Sequence, residues 1–480
     1  MARYRSYDPK QSQFFVLQPE KLLKENPLLA TIDAFVEQHL DLKPFSIKVR
    51  NDKAGAPAID PRLLLKLLFY SYATGVYHSR DMEERIGWDV NCVYICGGQS
   101  VDHSTICNFL LDYSEEIKKV FTQLLYVAQK LGLVGLDFVA IDGTKIRANV
   151  DKEFTGTVED FRQKKAHLDE KISERIEQTL QEDSIYQKRS AKKIEQLQRV
   201  KQKIEKFLEE VDQGEPDKGK IKSLNDPDAS IVKDQDRKYP GYNCQAAADD
   251  KNHMIIAAEV TNEENDVHML KPMVVEARSQ TGKDLSLAEI GVDSGYSSSE
   301  SLSWANKEAF NLYMPSGRGP GGQQIPPIDR ITSRHCELKI EGDHRFLICP
   351  GGQTMNCSQS IRTSRADNYT FEPDPVKCTD CKLKHICYRN IRKSKKKFIV
   401  RKDYFENLPL RQQMTQRLLS LKGKHRMADR SCLIEHVFGE IKEQRSFRRF
   451  FHRGLKKVKL IWIILCTAYN FRKVALLTAS

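Results

Sequence analysis

Short apolar segments that alternate with helical segments between residues 137 and 315 constrain the fold of this chain more than any other feature. Two of them, residues 242–249 and 254–261, flank a polar turn and predict an antiparallel hairpin. The others, at residues 137–142, 285–293 and 310–315, are separated by helical stretches. This alternation predicts an α/β fold built on a mixed sheet with helices on both faces.

Two of these strands are predicted to end in an aspartate, Asp142 in VAIDGTKIRAN and Asp293 in AEIGVDSGYSS. Open α/β sheets place functional groups at the carboxyl ends of their strands, so parallel neighbours would bring both carboxylates together. A third acid, Glu435 in IEHVFGEIKE, lies on a predicted helix seven residues before Lys442 and on the same face. Such scattered carboxylates suit a pair of divalent ions for phosphodiester chemistry, with Mg²⁺ as the natural metal and Mn²⁺ as its substitute.

Each acid also has a purely structural interpretation. Asp142 precedes Gly143 and could cap a turn, and Asp293 precedes Ser294 and Gly295 in a sequence typical of an Asx turn. Glu440 and Glu443 share the helical stretch of Glu435, and most glutamates on helices are solvated.

The basic residues are concentrated locally. The formal charge is +12 and the isoelectric point is about 9.0, which favours a polyanionic partner. Residues 388–402 and 442–459 hold eight Lys or Arg each. The candidate DNA-binding residues in these runs are Lys395, Lys396, Lys397, Arg445, Arg448 and Arg449. Solvated surface charge is the alternative interpretation of either run alone.

Aromatic residues interleave with the second basic run. Phe447, Phe450, Phe451 and Trp462 could stack on DNA bases. Alternatively, they pack a C-terminal helix onto the core while the arginines face outward.

The first 125 residues are predicted to be mostly helical. A strongly apolar helix is expected at residues 61–76, and Asp102 or Ser104 can cap a later one. Short helices ending in a capped helix resemble a helix-turn-helix module, although a plain helical bundle is the alternative.

The chain carries no apolar stretch of signal-peptide length at its N-terminus, and its longest apolar run, residues 460–466, is too short to span a bilayer. We therefore expect a cytoplasmic protein without a membrane partner. Its 12 cysteines should accordingly be reduced thiols, core residues or metal ligands.

Two segments read as insertions into the sheet domain. Residues 158–220 show helical spacing under heavy charge and predict a helical hairpin. Residues 317–400 have little periodicity and are predicted to form a loop-rich module with too few apolar residues to fold by itself. Cys349, Cys378, Cys381 and Cys387 in this segment could hold a structural Zn²⁺ ion, with Cys336 and Cys357 as spare ligands. An iron–sulfur cluster and the absence of any metal are the alternatives.

Several motifs together resemble the bacterial insertion-sequence transposases of the DDE type, close to the groups related to insertion sequences four, five and eleven-eighty-two. The motifs are DGTKIRAN, NDPDA, GYNCQAAAD, DSGYSS and the C-terminal stretch from EHVFGEIKEQRSFRRFF onward. The N-terminal segments PRLLLKLLFYSYATGVYHSR and DHSTI also resemble that family, so the likeness covers nearly the whole chain.

The resemblance implies a ribonuclease H-like catalytic core with Asp142, Asp293 and Glu435 as its acidic triad. Arg430 and Lys442 match the basic positions of the family's last motif, although Arg430 stands five residues before the glutamate where the wider family more often shows four. The implied domains are a helical DNA-binding domain at residues 1–125, the first part of the core at 130–315, the Cys-rich and basic insertion at 317–400, and helices completing the core at 401–480.

The implied function is cleavage at the ends of the element's own DNA and joining of the 3′ ends to target DNA. The implied partners are the terminal inverted repeats, the target duplex and a second copy of the chain. The alternatives are a ribonuclease H-like nuclease without strand transfer and an inactive DNA-binding relative.

Overall fold

The computed structural model describes residues 17–46, 58–151, 154–179, 184–212, 222–234, 237–316, 331–362, 367–387 and 396–479. The chain divides into two compact units. The first comprises Met1–Leu133, Arg445–Phe447 and Leu460–Ser480, and the second comprises Val134–Gln444 and Arg448–Lys459.

The first unit is helical in its described part, as the sequence predicts. Its N-terminal helices are α1 (Pro19–Glu25), α2 (Pro27–Gln38), α3 (Lys43–Ser46), α4 (Pro61–Ala73), α5 (Ser79–Ile86), α6 (Val90–Cys96), α7 (His103–Asp112) and α8 (Ser114–Lys130). The predicted cap of α7 is confirmed, because Asp102 accepts hydrogen bonds from the backbone N–H groups of Ser104 and Thr105. Pro61 occupies the first turn of α4, where its missing N–H costs nothing.

Aromatic rings form much of the core of this unit. The ring of Phe471 packs edge-on against Phe35 with centroids 5.2 Å apart and also contacts Phe69 at 5.3 Å. Both partners are buried, and Trp462 is fully buried as well. Residues from the far end of the sequence therefore complete the core of the N-terminal helices.

A six-stranded mixed sheet forms the centre of the second unit. Its strands are β1 (Phe138–Arg147), β4 (Ser230–Asp234), β5 (Arg237–Asp249), β6 (Ile255–Thr261), β7 (Glu289–Gly291) and β8 (Asn311–Tyr313). Strands β5 and β6 form the predicted antiparallel hairpin. Strand β1 pairs antiparallel with β5 and parallel with β7, and β7 pairs parallel with β8. Strands β1 and β7 are thus parallel neighbours, which is the condition for their two aspartates to come together.

Helices α11 (Leu270–Thr281), α12 (Ser299–Lys307), α15 (Leu408–Leu419) and α16 (Leu421–Gly439) accompany this sheet. The short helix α14 (Lys402–Glu406) packs instead on the strands of the Cys-rich segment described below. Helix α16 packs on β1, β5, β7 and β8, whereas α11 packs on β5 and β6. Arg426 of α16 lies over the Phe138 ring and binds Glu289 at 2.6 Å. These contacts anchor the start of α16 to the first residues of β1 and β7.

Two long helices follow β1, as predicted for residues 158–220. They are α9 (Val158–Thr179) and α10 (Ser184–Asp212), next to the short strands β2 (Thr155–Gly156) and β3 (Lys222–Ser223). The helices pack against each other around a small apolar cluster of Phe161, Ile204 and Leu208.

The Cys-rich segment contains more regular structure than the sequence predicts. Its described residues form a five-stranded antiparallel sheet of β9 (Glu337–Glu341), β10 (His344–Ile348), β11 (Thr354–Arg362), β12 (Asp367–Phe371) and β13 (Phe398–Arg401), together with the short helix α13 (Lys384–Cys387). Leu347, Phe371, Phe398 and Phe405 are among the buried residues of its apolar core. The expectation of a module with too few apolar residues is therefore wrong, because side chains from separate short strands converge on one face.

The last helix, α17 (Leu455–Thr478), is long and apolar enough by length and composition to cross a membrane. Within its most apolar stretch, 72% is buried inside the protein. Such burial is typical of a core helix in a water-soluble fold, so it gives little support to a membrane span.

Candidate active site

Asp142 lies in the middle of β1, because the antiparallel pairing with β5 continues past it to Arg147. The prediction that this strand ends at Asp142 is wrong. The parallel pairing of β1 with β7, however, stops at Ala140 opposite Gly291. Asp142 and Asp293 each stand two residues beyond that last pair, so both carboxylates follow the end of the same parallel ladder.

Burial is the main influence on the protonation of Asp142, and its charged neighbours modify the effect. Arg430 binds its Oδ2 at 2.7 Å, and the backbone N–H of Gly143 donates to its Oδ1 at 2.8 Å. Burial raises the pKa of Asp142 to about 6; Arg430 opposes this rise, and the carboxylates of Asp293 and Asp266 add to it. The carboxylates of Asp293 and Asp266 therefore lie close enough to Asp142 to disfavour its ionised form.

Asp293 holds the turn that follows β7. Its Oδ1 accepts a hydrogen bond from the backbone N–H of Gly295 at 2.7 Å and so caps the 3₁₀ turn Ser294–Tyr296. The structural interpretation of Asp293 as a turn residue is thus confirmed. This capping role is compatible with an electrostatic effect on Asp142, because the turn places the Asp293 carboxylate where its charge raises the pKa of Asp142.

A third carboxylate at this site, Asp266, was not singled out from the sequence. Its Oδ1 accepts hydrogen bonds from the side-chain amides of Asn243 and Gln245, both at 2.7 Å, and lies 3.2 Å from Lys145 Nζ. Asn243 and Gln245 are buried polar residues of β5 on the same face of the strand. Their spacing of two in the apolar stretch YNCQAAAD was the signal available in the sequence.

Tyr296 joins this network through the side-chain amide of Gln245. Its hydroxyl donates a hydrogen bond to Gln245 Oε1. Burial, followed by the charges of Asp142, Asp266 and Asp293, raises the pKa of Tyr296 well above its ordinary value. The phenol therefore stays protonated and orients the Gln245 amide so that its NH₂ group faces Asp266.

Gly143 is required by the close approach of this network. A Cβ at this position would lie 2.2 Å from Gln245 Nε2 and 2.6 Å from Asp266 Oδ1. Any side chain would therefore displace the groups that hold Asp266.

Gly143→Ala is expected to lower the free energy of unfolding by about 1–3 kcal/mol, the usual effect of overpacking a close-packed site. Gly439→Ala on α16 is the control, because a Cβ there meets no atom within 4 Å and alanine favours a helix. Urea denaturation of both variants compares them. Equal unfolding midpoints would contradict the close packing described around Gly143.

Glu435 lies on α16 with an exposed side chain. Of its two neighbours along the chain, Glu440 is buried in the π-helical turn Glu440–Gln444, and Glu443 pairs with Arg448. Among the described residues, no three His, Cys, Asp or Glu side chains are already arranged as a metal-ligand group. The structure thus brings Asp142, Asp293 and Asp266 near one another and leaves the role of Glu435 a prediction.

The two basic residues of the last motif occupy different surroundings. Arg430 is buried and directs its guanidinium at Asp142. Lys442 lies further along and donates a hydrogen bond to Thr144 Oγ1 at 3.2 Å, two residues after Asp142 on β1. Their predicted contacts with DNA stay predictions, but both side chains lie beside the acidic site.

The other candidate arginines are placed as follows. Arg448 and Arg449 are exposed; Arg448 pairs with Glu443, and Arg449 donates to Asn149 Oδ1 at 3.1 Å. Arg445 belongs to the helical unit, where its backbone carbonyl accepts a hydrogen bond from the Tyr77 hydroxyl at 2.8 Å.

The aromatic residues of this run do not form a stacking surface. Phe447, Phe450 and Trp462 are buried, and Phe451 is half-buried. Their alternative interpretation as core residues is confirmed for the three buried rings.

The basic run before β13 is only partly described. Lys395 lies outside the described residues. Lys396 is buried and donates to the backbone carbonyls of Ile331 and Cys387, so it faces the protein interior. Lys397 is half-exposed and pairs with Glu372 at 2.8 Å.

The candidate metal cysteines converge from separate segments. Cys349, Cys378, Cys381 and Cys387 all line one small cavity beside the core of the five-stranded sheet. Cys336 and Cys357 also pack against that core.

Comparison with protein families gives two matches. Residues 348–475 match a family model described as Transposase DDE domain, and residues 17–111 match one described as Transposase domain (DUF772). Both matches support a DDE-type transposase. The DDE-domain match includes Glu435 and Lys442, while Asp142 and Asp293 lie between the two matched segments. No curated protein matches the chain significantly.

Proposed function

We propose that the chain is a DNA transposase that cleaves at the ends of its own insertion sequence and joins the 3′ ends to target DNA. The observation that carries the proposal is the approach of Asp142 and Asp293 beyond one parallel strand pair, in a chain whose C-terminal part matches a DDE domain. Glu435, inside that match, is proposed as the third acid. The groups related to insertion sequences four, five and eleven-eighty-two remain the proposed relatives.

The architecture supports this proposal. A mixed sheet with β1 between an antiparallel and a parallel neighbour is compatible with the ribonuclease H-like core that the resemblance implies. In that scheme, the helices α9 and α10 and the five-stranded Cys-rich sheet are insertions into the core. Each has its own apolar cluster, so neither needs the acidic site for its packing.

Mg²⁺ is the proposed metal. The donor chemistry fits, because the carboxylates of Asp142, Asp293 and Asp266 lie close to one another and carboxylate oxygens are the ligands that Mg²⁺ prefers. The arrangement described here is not a finished ligand set, since Arg430 holds one oxygen of Asp142. Asp142, Asp293 and Glu435 would hold the metal, which when bound activates the attacking oxygen and stabilises the leaving one.

The side chains around the acids have separate tasks in this proposal. The carboxylate of Asp266 is held by Lys145, Asn243 and Gln245. It adds a fixed negative charge beside Asp142 and Asp293. Lys442 lies near enough to β1 to meet a DNA phosphate that enters the site. Arg430 holds the carboxylate of Asp142 in place through their ion pair.

DNA is the proposed partner, and a homodimer is the proposed assembly because an element has two ends to pair. In the sheet unit, the exposed side chains of Arg448 and Arg449 are proposed to bind DNA phosphates. In the helical unit, the short helices α5 to α7 are proposed as a separate DNA-binding element. A protein acting on chromosomal DNA is expected in the cytoplasm of a bacterium, at the nucleoid.

The test is a strand-transfer assay with purified protein, Mg²⁺ and a duplex carrying the inverted repeats that flank the gene. We expect cleavage at the repeat and covalent joining of its 3′ end to a plasmid target. A duplex with the repeat sequence scrambled is the control. Cleavage without joining would favour a nuclease instead, and DNA binding without cleavage would favour an inactive regulator.

A further inference from the structure

We propose that Cys349, Cys378, Cys381 and Cys387 hold one structural Zn²⁺ ion that fixes the end of the Cys-rich sheet. Nothing in the two family matches assigns this site. The proposal is independent of the DNA chemistry, because these residues belong to a sheet with a separate core.

The four thiols share one cavity that has the volume for a single ion. The cavity measures about 20 Å³, and all four cysteines line it. A volume of this size corresponds to little more than one water-sized sphere. Four thiolates at the usual Zn–S distance of about 2.3 Å would fill it as a tetrahedral site.

The backbone around Cys349 forms a tight turn that gives sulfur atoms access to the cavity. Gly352 donates its backbone N–H to the carbonyl of Cys349 at 2.8 Å, and its φ of +82° favours glycine. A Cβ on the neighbouring Gly351 would lie 2.9 Å from Cys381 Sγ and 3.6 Å from Cys349 Sγ. Two sulfurs from distant segments therefore approach the same glycine.

The other ligands are presented by successive turns. Cys381 donates its backbone N–H to the carbonyl of Cys378, and Cys387 donates its own to the carbonyl of Leu383. The side chain of Cys378 faces Gln353, in the segment just after the Cys349 turn, at 3.4 Å. Loop and turn backbone of this kind gains stability from a fixed point, and cysteines from the separate segments line the same cavity.

The charges around the cavity suit a thiolate site. Zn²⁺ with four thiolates carries a net charge of about −2. Lys384 lines the cavity, and the buried ammonium of Lys396 bonds to the carbonyl of Cys387. The sequence predicts that Lys396 contacts DNA. We instead assign its charge to balancing the negative charge of the proposed metal site.

The thiols need to turn inward to complete the site. As placed, the described Cys, His, Asp and Glu side chains form no finished ligand group of three or more. A change in the χ1 angle of a cysteine moves its sulfur without moving the backbone, and staggered rotamers are close in energy. Rotation of the cysteine side chains toward the cavity is the change that the proposal requires.

Metal analysis of the full-length protein, purified from cells grown with zinc, tests the proposal. We expect one zinc ion per chain, and Cys378→Ser and Cys381→Ser should each reduce zinc content at least about tenfold. Cys357→Ser, in the same sheet but outside the cavity lining, and Cys107→Ser, in the helical unit, are the matched controls that should keep zinc.

A second measurement covers the case in which the serine variants fail to fold. Wild-type protein loaded with Co²⁺ should show the absorption of a tetrahedral thiolate site, and a mercurial that titrates thiols should release zinc. Folded wild-type protein without zinc, or serine variants that retain it, would overturn the proposal. Iron with inorganic sulfide would also overturn it, in favour of a cluster. Zinc content is measured without DNA, so its failure is separate from any failure of strand transfer.

Discussion

Asp142→Asn is expected to lower the rate of Mg²⁺-dependent DNA cleavage by about 10³-fold or more. Asparagine keeps the size of the side chain and can still accept the hydrogen bond from Gly143, but it removes the charge that a metal ion needs. A metal site supplies several kcal/mol of transition-state stabilisation, and about 4 kcal/mol corresponds to this factor. Single-turnover cleavage of a labelled repeat duplex measures it.

Binding and folding measurements separate this loss of chemistry from other effects. The Asp142→Asn protein should still shift the repeat duplex in a gel, because the substitution keeps the side chains that are proposed to bind DNA, namely Lys442, Arg448 and Arg449. Asp137→Asn is the matched control, since Asp137 is exposed and immediately precedes β1. Asp293→Asn should lose cleavage to a similar extent, because it also removes a carboxylate that is proposed to hold the metal. The variant should stay folded, because asparagine can cap the turn after β7 as aspartate does. Cleavage within threefold of wild type in either variant would remove that residue from the proposed site.

Glu435→Gln is expected to abolish cleavage to a similar extent while leaving stability nearly unchanged. The side chain is exposed on α16, so removing its charge breaks no buried contact. Its proposed contribution is a carboxylate that approaches Asp142 and Asp293 once Mg²⁺ and DNA are bound. Single-turnover cleavage and thermal unfolding of the same preparation give both quantities.

The two nearby glutamates provide the comparison. Glu443→Gln removes only an exposed ion pair with Arg448, so cleavage should change little. Glu440→Gln changes a buried residue of the π-helical turn, and we expect a loss of stability that exceeds any direct loss of chemistry. A Glu435→Gln protein that cleaves normally, beside an inactive but folded Glu440→Gln protein, would transfer the third acidic role to Glu440.

The sequence predicted the sheet better than it predicted the ends of its strands. Alternating short apolar segments identified the hairpin of β5 and β6 and the strands β1 and β7, while the parallel pairing of these two came from the structure. The prediction of the end of β1 failed at Asp142, because the residues that follow Asp142 are typical of a turn. The strand continues because β5 offers hydrogen-bonding partners as far as Gly241, and pairing with a distant strand is invisible in a local pattern.

The candidate site was predicted in part for a similar reason. Asp142 and Asp293 stand in recognisable local motifs, whereas Asp266 lies in a polar loop, and its importance comes from Asn243 and Gln245 on another strand. The Cys-rich sheet was missed because its strands are short and its core residues are spread over many turns. In both cases, contacts between distant segments decide the outcome.

The aromatic core of the helical unit has a consequence for the order in which the protein can fold during synthesis. Phe35 and Phe69 emerge from the ribosome hundreds of residues before Phe471, the ring that packs against both. The core of the N-terminal helices therefore stays incomplete until the segment that contains Phe471 has been synthesised. A product whose translation stops before α17 would contain every N-terminal helix without a finished domain. Incomplete copies of the chain would thus lack the finished core of the unit that is proposed to bind DNA.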